Sequence, residues 1–171
     1  MTTLCKRCST DEDFAKISLF ILDRRHDLHP SFTTLDTVGL LYGYINQGHS
    51  ILVEDDEGRV VGATAFYHGT PDREFEDKEV AFVDLAIMDK AYRGTRLFLQ
   101  GLRFLVSEIA ASLTEVEEIR FVALSENAKL CRLYAKITEF SYVREGKLGN
   151  ETVFCVKLNK IKAILRKFDK V

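Results

Sequence analysis

Two features of this 171-residue chain place groups where they could do chemistry. The first is the run Leu85–Phe98, where an apolar segment breaks at Tyr92-Arg93-Gly94 and passes directly into a long helical pattern. A strand that turns through Arg-Gly into a helix gathers unpaired backbone N–H groups and the positive end of the helix dipole at one point. That combination binds anions, phosphates above all. The second is Asp84, set within the otherwise apolar run Ala81–Met88. A carboxylate there is costly unless it faces a cleft or a partner. It is therefore either a structural hydrogen-bonding group or a base held ready to take a proton. Glu79, at the mouth of the same segment, is the second candidate.

Positioning such groups requires a scaffold, and the apolar periodicity supplies one. Thr3–Cys8 reads as a strand. Ser9 and Thr10 are good N-cap residues for a helix from Asp11 to about Arg25, with Phe14, Ile17, Phe20 and Ile21 at helical spacing. His26–Thr33 reads as a loop around Pro30. Leu35, Val38, Leu40, Leu41 and Ile45 predict a second helix that ends near Gly48. His49–Glu54 and Arg59–Tyr67 are strands joined by the turn signal Asp55–Gly58. Thr70–Lys78 is a charged loop, and Val80–Met88 has the near-continuous apolar run of a strand covered on both faces. Arg96–Leu113 is the strongest helix. A strand at Glu118–Leu124, a short helix at Asn127–Ile137 and a hairpin of Tyr142–Glu145 with Thr152–Lys157 complete the order. This β-α-α-β-β-β-α-β-α-β-β succession is a mixed α/β layer architecture.

The element order and two motifs resemble the GNAT superfamily of acyl-CoA-dependent N-acyltransferases. The first motif is the donor-binding signature Arg/Gln-x-x-Gly-x-Gly/Ala, here Arg93-Gly94-Thr95-Arg96-Leu97-Phe98, with Arg96 and Phe98 in place of the small residues. The second is Asn127 followed by Leu133-Tyr134 and Lys136-Ile137, at the spacing seen in the family. The resemblance implies one α/β domain over residues 1–171: a mixed, mostly antiparallel central sheet flanked by helices, the acyl-CoA N-acyltransferase fold. It also implies transfer of an acetyl group from acetyl-CoA to a primary amine by direct attack in a ternary complex. Donor binding falls to Arg93, Gly94, Thr95, Arg96, Leu97, Phe98 and Asn127, with a backbone N–H at a bulge near Ile87 or Met88 polarising the carbonyl. Tyr134 is implied as general acid, and Asp84, or else Glu79, as base. His26, His29, Phe32, Tyr42, Tyr44, Tyr67, His68 and the acidic loop Asp72–Glu79 fall where the family builds acceptor pockets. Arg96 and Phe98 also motivate a different reading, a catalytically inactive GNAT-fold module that senses acyl-CoA or binds a partner.

Composition narrows the partners. A net charge of −2 leaves no basic excess to neutralise nucleic-acid phosphates. No run of residues reaches the apolar length of a membrane span, and the N-terminal residues lack an apolar signal core. The expectation is a cytoplasmic protein acting on a small-molecule or peptide amine. Cys5 and Cys8 form a lone CxxC with no second pair to complete a zinc site, so free thiols and no metal are expected. The basic C-terminal run Lys157–Lys170 places Leu158, Ile161, Leu165 and Phe168 on one helical face. Such a face packs on its own domain or on the mate in a homodimer.

Overall fold

The computed structural model describes residues 2–92 and 96–168. Its elements are β1 (Leu4–Arg7), α1 (Asp11–Asp23), α2 (Arg25–Leu28), α3 (Thr34–Asn46), β2 (His49–Glu54), β3 (Val60–His68), β4 (Val80–Met88), α4 (Arg96–Ser112), β5 (Glu118–Leu124), α5 (Ala128–Ala135), β6 (Phe140–Gly146), β7 (Gly149–Lys157) and α6 (Leu158–Phe168). The seven strands form one sheet in the order β1-β2-β3-β4-β5-β7-β6. β4 and β5 run parallel, whereas β1/β2, β2/β3, β5/β7 and β6/β7 are antiparallel. The mixed, mostly antiparallel sheet with flanking helices is the architecture expected from the sequence.

By packing, the chain divides into two compact units, residues up to 66 with 85–104, and 67–84 with 105 onward. In the first unit, two helices start with the same device. Thr10 and Thr33 cap α1 and α3, and Asp13 and Asp36 return the bond in reciprocal capping boxes. Asp13 is buried, accepts from the Ser9 and Thr10 N–H groups at 3.1 and 3.2 Å, and meets Lys6 Nζ at 2.8 Å. The Lys6 contact and these backbone donors hold its carboxyl well below the usual range, against the opposing effect of burial. The Asp55 carboxylate organises the β2–β3 turn by accepting from the Glu57 and Arg59 N–H groups. Val53, Val61 and Leu97 form a buried cluster against which Cys5, Met88 and Tyr92 pack.

The second unit is built on β5 and β7, paired along their whole length from Glu118↔Lys157 to Leu124↔Glu151. α5 covers β5 and β7, and α6 packs on β7 through Ile161 and Leu165. The basic C-terminal segment therefore does settle on its own domain, while Phe168 stays 42% exposed. The β6–β7 hairpin closes through Lys147-Leu148, between the paired glycines 146 and 149.

β4 carries an irregularity that matters for the site. The Gly69 N–H donates to the Val80 carbonyl, and the Asp89 N–H donates to the Val61 carbonyl. Between these bonds β4 advances nine residues while β3 advances eight. One extra residue on β4 is a β-bulge, which leaves peptide groups outside the β3 ladder.

Three local expectations are revised. The segment after α1 is not all loop, because Arg25–Leu28 adds a helical turn that the Arg24 cap starts without a side-chain bond. Pro71–Arg73 forms a 3₁₀ turn in the charged loop, as Pro in the first turn favours. In α3 the buried positions are Thr37, Leu41 and Tyr44, whereas Leu35, Val38 and Ile45 lie in solvent. The apolar pattern had marked two faces of that helix rather than one.

The depressed Asp13 carboxyl predicts a pH-dependent stability. A lowered folded-state pKa contributes stability above the unfolded value, near 4, and loses it as pH falls through the folded value. Asp13→Asn should lower the melting temperature by several degrees at pH 7. The gap to wild type should narrow below about pH 4, as scanning calorimetry across that range would record.

Candidate active site

Asp84 is half-buried on β4, one residue beyond the point where the strand leaves its parallel partner. The ladder to β5 pairs Val80 with Glu118 through Val83 with Phe121 and stops, while β4 continues to Met88. From Asp84 onward, half-buried residues (Asp84, Ala86, Met88) alternate with buried ones (Leu85, Ile87). That period of two gives this half of the strand one open face.

Two buried phenols lie within electrostatic reach of the Asp84 carboxylate. Tyr67, 8% exposed at the end of β3, has its hydroxyl pushed up to about 12, first by burial and then by the charge of Asp84. Tyr134, 1% exposed on α5, is raised further by burial, then by the neighbouring Cys131 and Asp84. Its ring packs at 4.8 Å from Phe121 and 5.8 Å from Phe154, so β5 and β7 fix where the hydroxyl points. Both phenols stay protonated throughout the physiological range. They are proton donors within electrostatic reach of one acceptor, an arrangement suited to moving a proton to or from a bound group.

Asn127 caps α5, its Oδ1 accepting from the Leu130 N–H at 3.2 Å. That bond occupies the oxygen and leaves the exposed amide nitrogen as the group that could reach a ligand. Glu79 is exposed and precedes β4, with its carbonyl accepting from the Glu117 and Glu118 N–H groups. Five residues of extended chain, about 16 Å, separate it from Asp84. The two carboxylates cannot serve one reacting nitrogen. The four thiols are free, and burial raises each one, Cys8 to about 12 and Cys155 to about 11, so none is an activated nucleophile.

The acceptor-side residues divide. Tyr44 is 2% exposed and belongs to the core, which removes it from any open pocket, while Tyr42 is exposed. In the acidic loop Asp77 is buried and accepts from the Thr70 N–H and hydroxyl at 2.7 and 2.8 Å, and Asp72 pairs with Arg144. Asp77 is therefore structural, leaving Asp72, Glu74, Glu76 and Glu79 exposed. The same loop holds a feature that the sequence did not signal. Glu74 and Phe75 both adopt positive φ, at 52° and 61°, and the Phe75 ring settles 5.2 Å from that of Tyr67. Gly69 makes this fold-back possible, since a Cβ there would come within 2.7 Å of the Phe75 backbone. The Phe75 ring thus braces a phenol beside Asp84, at the cost of backbone strain.

Of the expected donor-side residues, Arg93, Gly94 and Thr95 lie outside the described residues. α4 begins at Arg96, so Arg96, Leu97 and Phe98 belong to its first turn, at the positive end of the helix dipole. No acidic residue occupies that turn. The Arg96 side chain is exposed, Phe98 is half-buried, and Leu97 points into the cluster with Val53 and Val61. The chemistry of this donor set suits a phosphate. Ile87 is buried and Met88 half-buried, both within the bulged strand. Among the described residues, no group of His, Cys, Asp and Glu could hold a metal ion, and no helix is long and apolar enough to cross a membrane.

No protein-family model matches the sequence, and no curated protein matches it by sequence. Solved structures do match in fold. A spermidine N-acetyltransferase from Vibrio cholerae, in complex with CoA and spermine, superposes with a TM-score of 0.66 over 94% of this chain and 98% of its own, at 15% identity. A ribosomal-protein-S5-alanine acetyltransferase from Vibrio fischeri gives 0.64 over 92% and 93%, at 14% identity. A GNAT family acetyltransferase from Elizabethkingia anophelis with acetyl-CoA bound gives 0.65 over 91% and 97%, at 10% identity. At these identities the likeness establishes the fold, which is that of the GNAT acetyltransferases.

Two predictions follow from the buried phenols. Tyr134→Ala should cost about 3–5 kcal/mol by emptying the space between Phe121 and Phe154, whereas Tyr134→Phe should cost under about 1.5 kcal/mol; urea denaturation separates them. A raised phenol pKa favours the folded state below the unfolded value, near 10, and that preference is lost as pH rises. Stability should therefore fall steeply above about pH 10. Tyrosinate absorbance should show that buried tyrosines, Tyr67 and Tyr134 among them, ionise only with unfolding.

Proposed function

We propose that the protein is an N-acetyltransferase that transfers the acetyl group of acetyl-CoA to a primary amine. The observation that carries this reading is Asp84, half-buried where β4 leaves its parallel ladder on a GNAT fold, with its charge reaching the buried Tyr67 and Tyr134. Acetyl-CoA is supported as donor by the acid-free first turn of α4, the positive end of a long helix. The solved neighbours that carry CoA and acetyl-CoA add weight.

In this reading Asp84 takes the proton from the acceptor ammonium and leaves a neutral amine to attack the carbonyl carbon. The backbone N–H of Ile87 or Met88, in the bulged strand, holds the carbonyl oxygen as negative charge builds on it. The carbon–nitrogen bond forms and the carbon–sulfur bond breaks. Tyr134 gives its proton to the departing sulfur, which leaves as the neutral thiol. The second proton of the now cationic adduct nitrogen restores the phenol as the amide forms. Asp84 fills the base role rather than Glu79, because it is half-buried at the open half of the strand. First-turn N–H groups of Arg96, Leu97 and Phe98 bind phosphate, with Arg93, Gly94 and Thr95 preceding them. The Asn127 amide nitrogen faces the pantetheine arm. The acceptor is a small-molecule or peptide amine, and the site of action is the cytoplasm.

The test begins with calorimetric titration of acetyl-CoA into CoA-free protein, followed by thiol release in the presence of an amine panel. Micromolar binding and acceptor-dependent release are expected. Tyr134→Phe should lower kcat by about 100-fold while leaving the KM for acetyl-CoA and the melting temperature near wild type. Asp84→Asn should lower kcat/KM at neutral pH and flatten its acid limb. Binding without release from any amine would favour the acyl-CoA-sensing module that Arg96 and Phe98 suggest. Failure of folded protein to bind acetyl-CoA would end the enzymatic reading.

A further inference from the structure

Helix α3 lies against the first unit by one face and presents a second apolar face to solvent. Thr37, Leu41 and Tyr44 form the seated face. Leu35, Val38, Tyr42 and Ile45, at intervals of three, four and three, are 81%, 46%, 70% and 45% exposed. That spacing draws a single stripe along the helix, the pattern of a helix–helix seam. A helix apolar on more than one side is ordinarily buried on more than one side.

Three further observations identify what covers it. First, α3 carries one charged residue in thirteen, Asp36, whose carboxylate is spent accepting from the Thr33 N–H at the N-terminal cap. The stripe therefore has no charge to complement a charged partner, and no lysine or arginine to meet lipid headgroups. A neutral face is instead compatible with itself, because a twofold axis brings no like charges together. Second, Gly39 sits in the middle of α3, exposed, and a Cβ built there would meet nothing within 4 Å. Glycine weakens a helix interior relative to alanine, and no contact within the protomer calls for it here. A notch flanked by Val38 and Tyr42 does let a second helix approach closely. Third, the four side chains expose roughly 450 Å² per copy, the scale of a functional patch. Pairing two copies would bury about 1,000 Å² with the flanking polar groups, the lower bound of a specific interface.

We infer that two copies of this chain associate through α3, stripe against stripe, crossing at Gly39. The association rests on a helix face that includes Tyr42, an acceptor-side residue, and not on Asp84, so its test by oligomeric state does not depend on acetyl transfer.

Sedimentation velocity on the full chain, between about 1 and 200 μM, tests it. Wild type is expected to pass from monomer to dimer within that range. The double substitution Leu35→Glu, Val38→Glu places charge at exposed positions in the first turns of the helix, where acids are compatible with the dipole, so the fold should persist by circular dichroism. It should weaken association by about 100-fold or more, because both charges would have to be buried unpaired. Gly39→Ala gives an independent readout: the dilute, monomeric protein should melt higher, as helix propensity requires, while the dimer dissociates at higher concentration. Wild type that stays monomeric to the top of the range overturns the proposal. So does a dimer that Leu35→Glu, Val38→Glu leaves intact, since the interface would then lie elsewhere.

Discussion

The parallel ladder between β4 and β5 is four pairs long, and much of the site depends on its being so short. Up to Val83 the strand is held on both sides and its residues are buried without exception. Beyond Val83 the chain stays extended without that partner, and alternate side chains open toward solvent. Had the ladder continued, Asp84 would sit in a fully paired strand, and the cost of an ionised carboxylate there would have to be met by burying a countercharge. The early end of the pairing instead lets the carboxylate keep partial access to water while two apolar-packed phenols stand near it. The bulge in β4 works in the same direction, because it frees peptide groups on the β3 side of the strand as well.

The two phenols are not equivalent. Tyr134 is locked between Phe121 and Phe154 and is almost without exposure, so its position belongs to the packing of α5 on β5 and β7. Tyr67 ends an edge of β3 and is held by a loop that accepts two left-handed residues in succession to bring Phe75 onto it. Buried Thr70–Asp77 bonds and the fold-back at Gly69 offset that strain. A core position gives Tyr134 a fixed geometry. A braced loop gives Tyr67 a geometry that changes when Phe75 moves. In a proton-transfer site the first kind of support suits a group whose role is always needed, and the second suits one that must yield to a bound molecule.

Most of the fold was legible in the sequence because its signals are local: cap residues before α1 and α3, the Asp55–Gly58 turn, and the unbroken apolar run of β4. Asp84 was legible for the opposite reason, as a charge in that run with an evident energetic cost. Tyr134 was legible only as part of a spaced motif, since a lone tyrosine in a short helix has no energetic signature until its burial is known. Tyr67 was legible only as an acceptor-side residue of the family resemblance, and its pairing with Phe75 was not, because that pairing arises from positive φ at Glu74 and Phe75, residue types that ordinarily avoid it. The bulge was expected only from the family resemblance, since a strand read as covered on both faces offers no period-two pattern for it to interrupt. In α3 the apolar positions exceeded what one buried face needs, and periodicity alone does not say which face is seated.

The start of α4 carries Arg96 and Phe98 where the family resemblance expects small residues. Glycine at positions 96 and 98 would clear space, but the donors themselves are N–H groups, and every residue there has one. What those donors require is a helix that begins at a fixed place and points one way. Leu97 supplies this by burying itself against Val53 and Val61, so that the residues on either side of it turn elsewhere: Arg96 to solvent and Phe98 to a half-buried position. The exposed guanidinium adds positive charge at the end of the helix that already favours anions. The constraint has therefore moved from the absence of a Cβ to the seating of one leucine. A chain that keeps the leucine can vary its neighbours without moving the first turn.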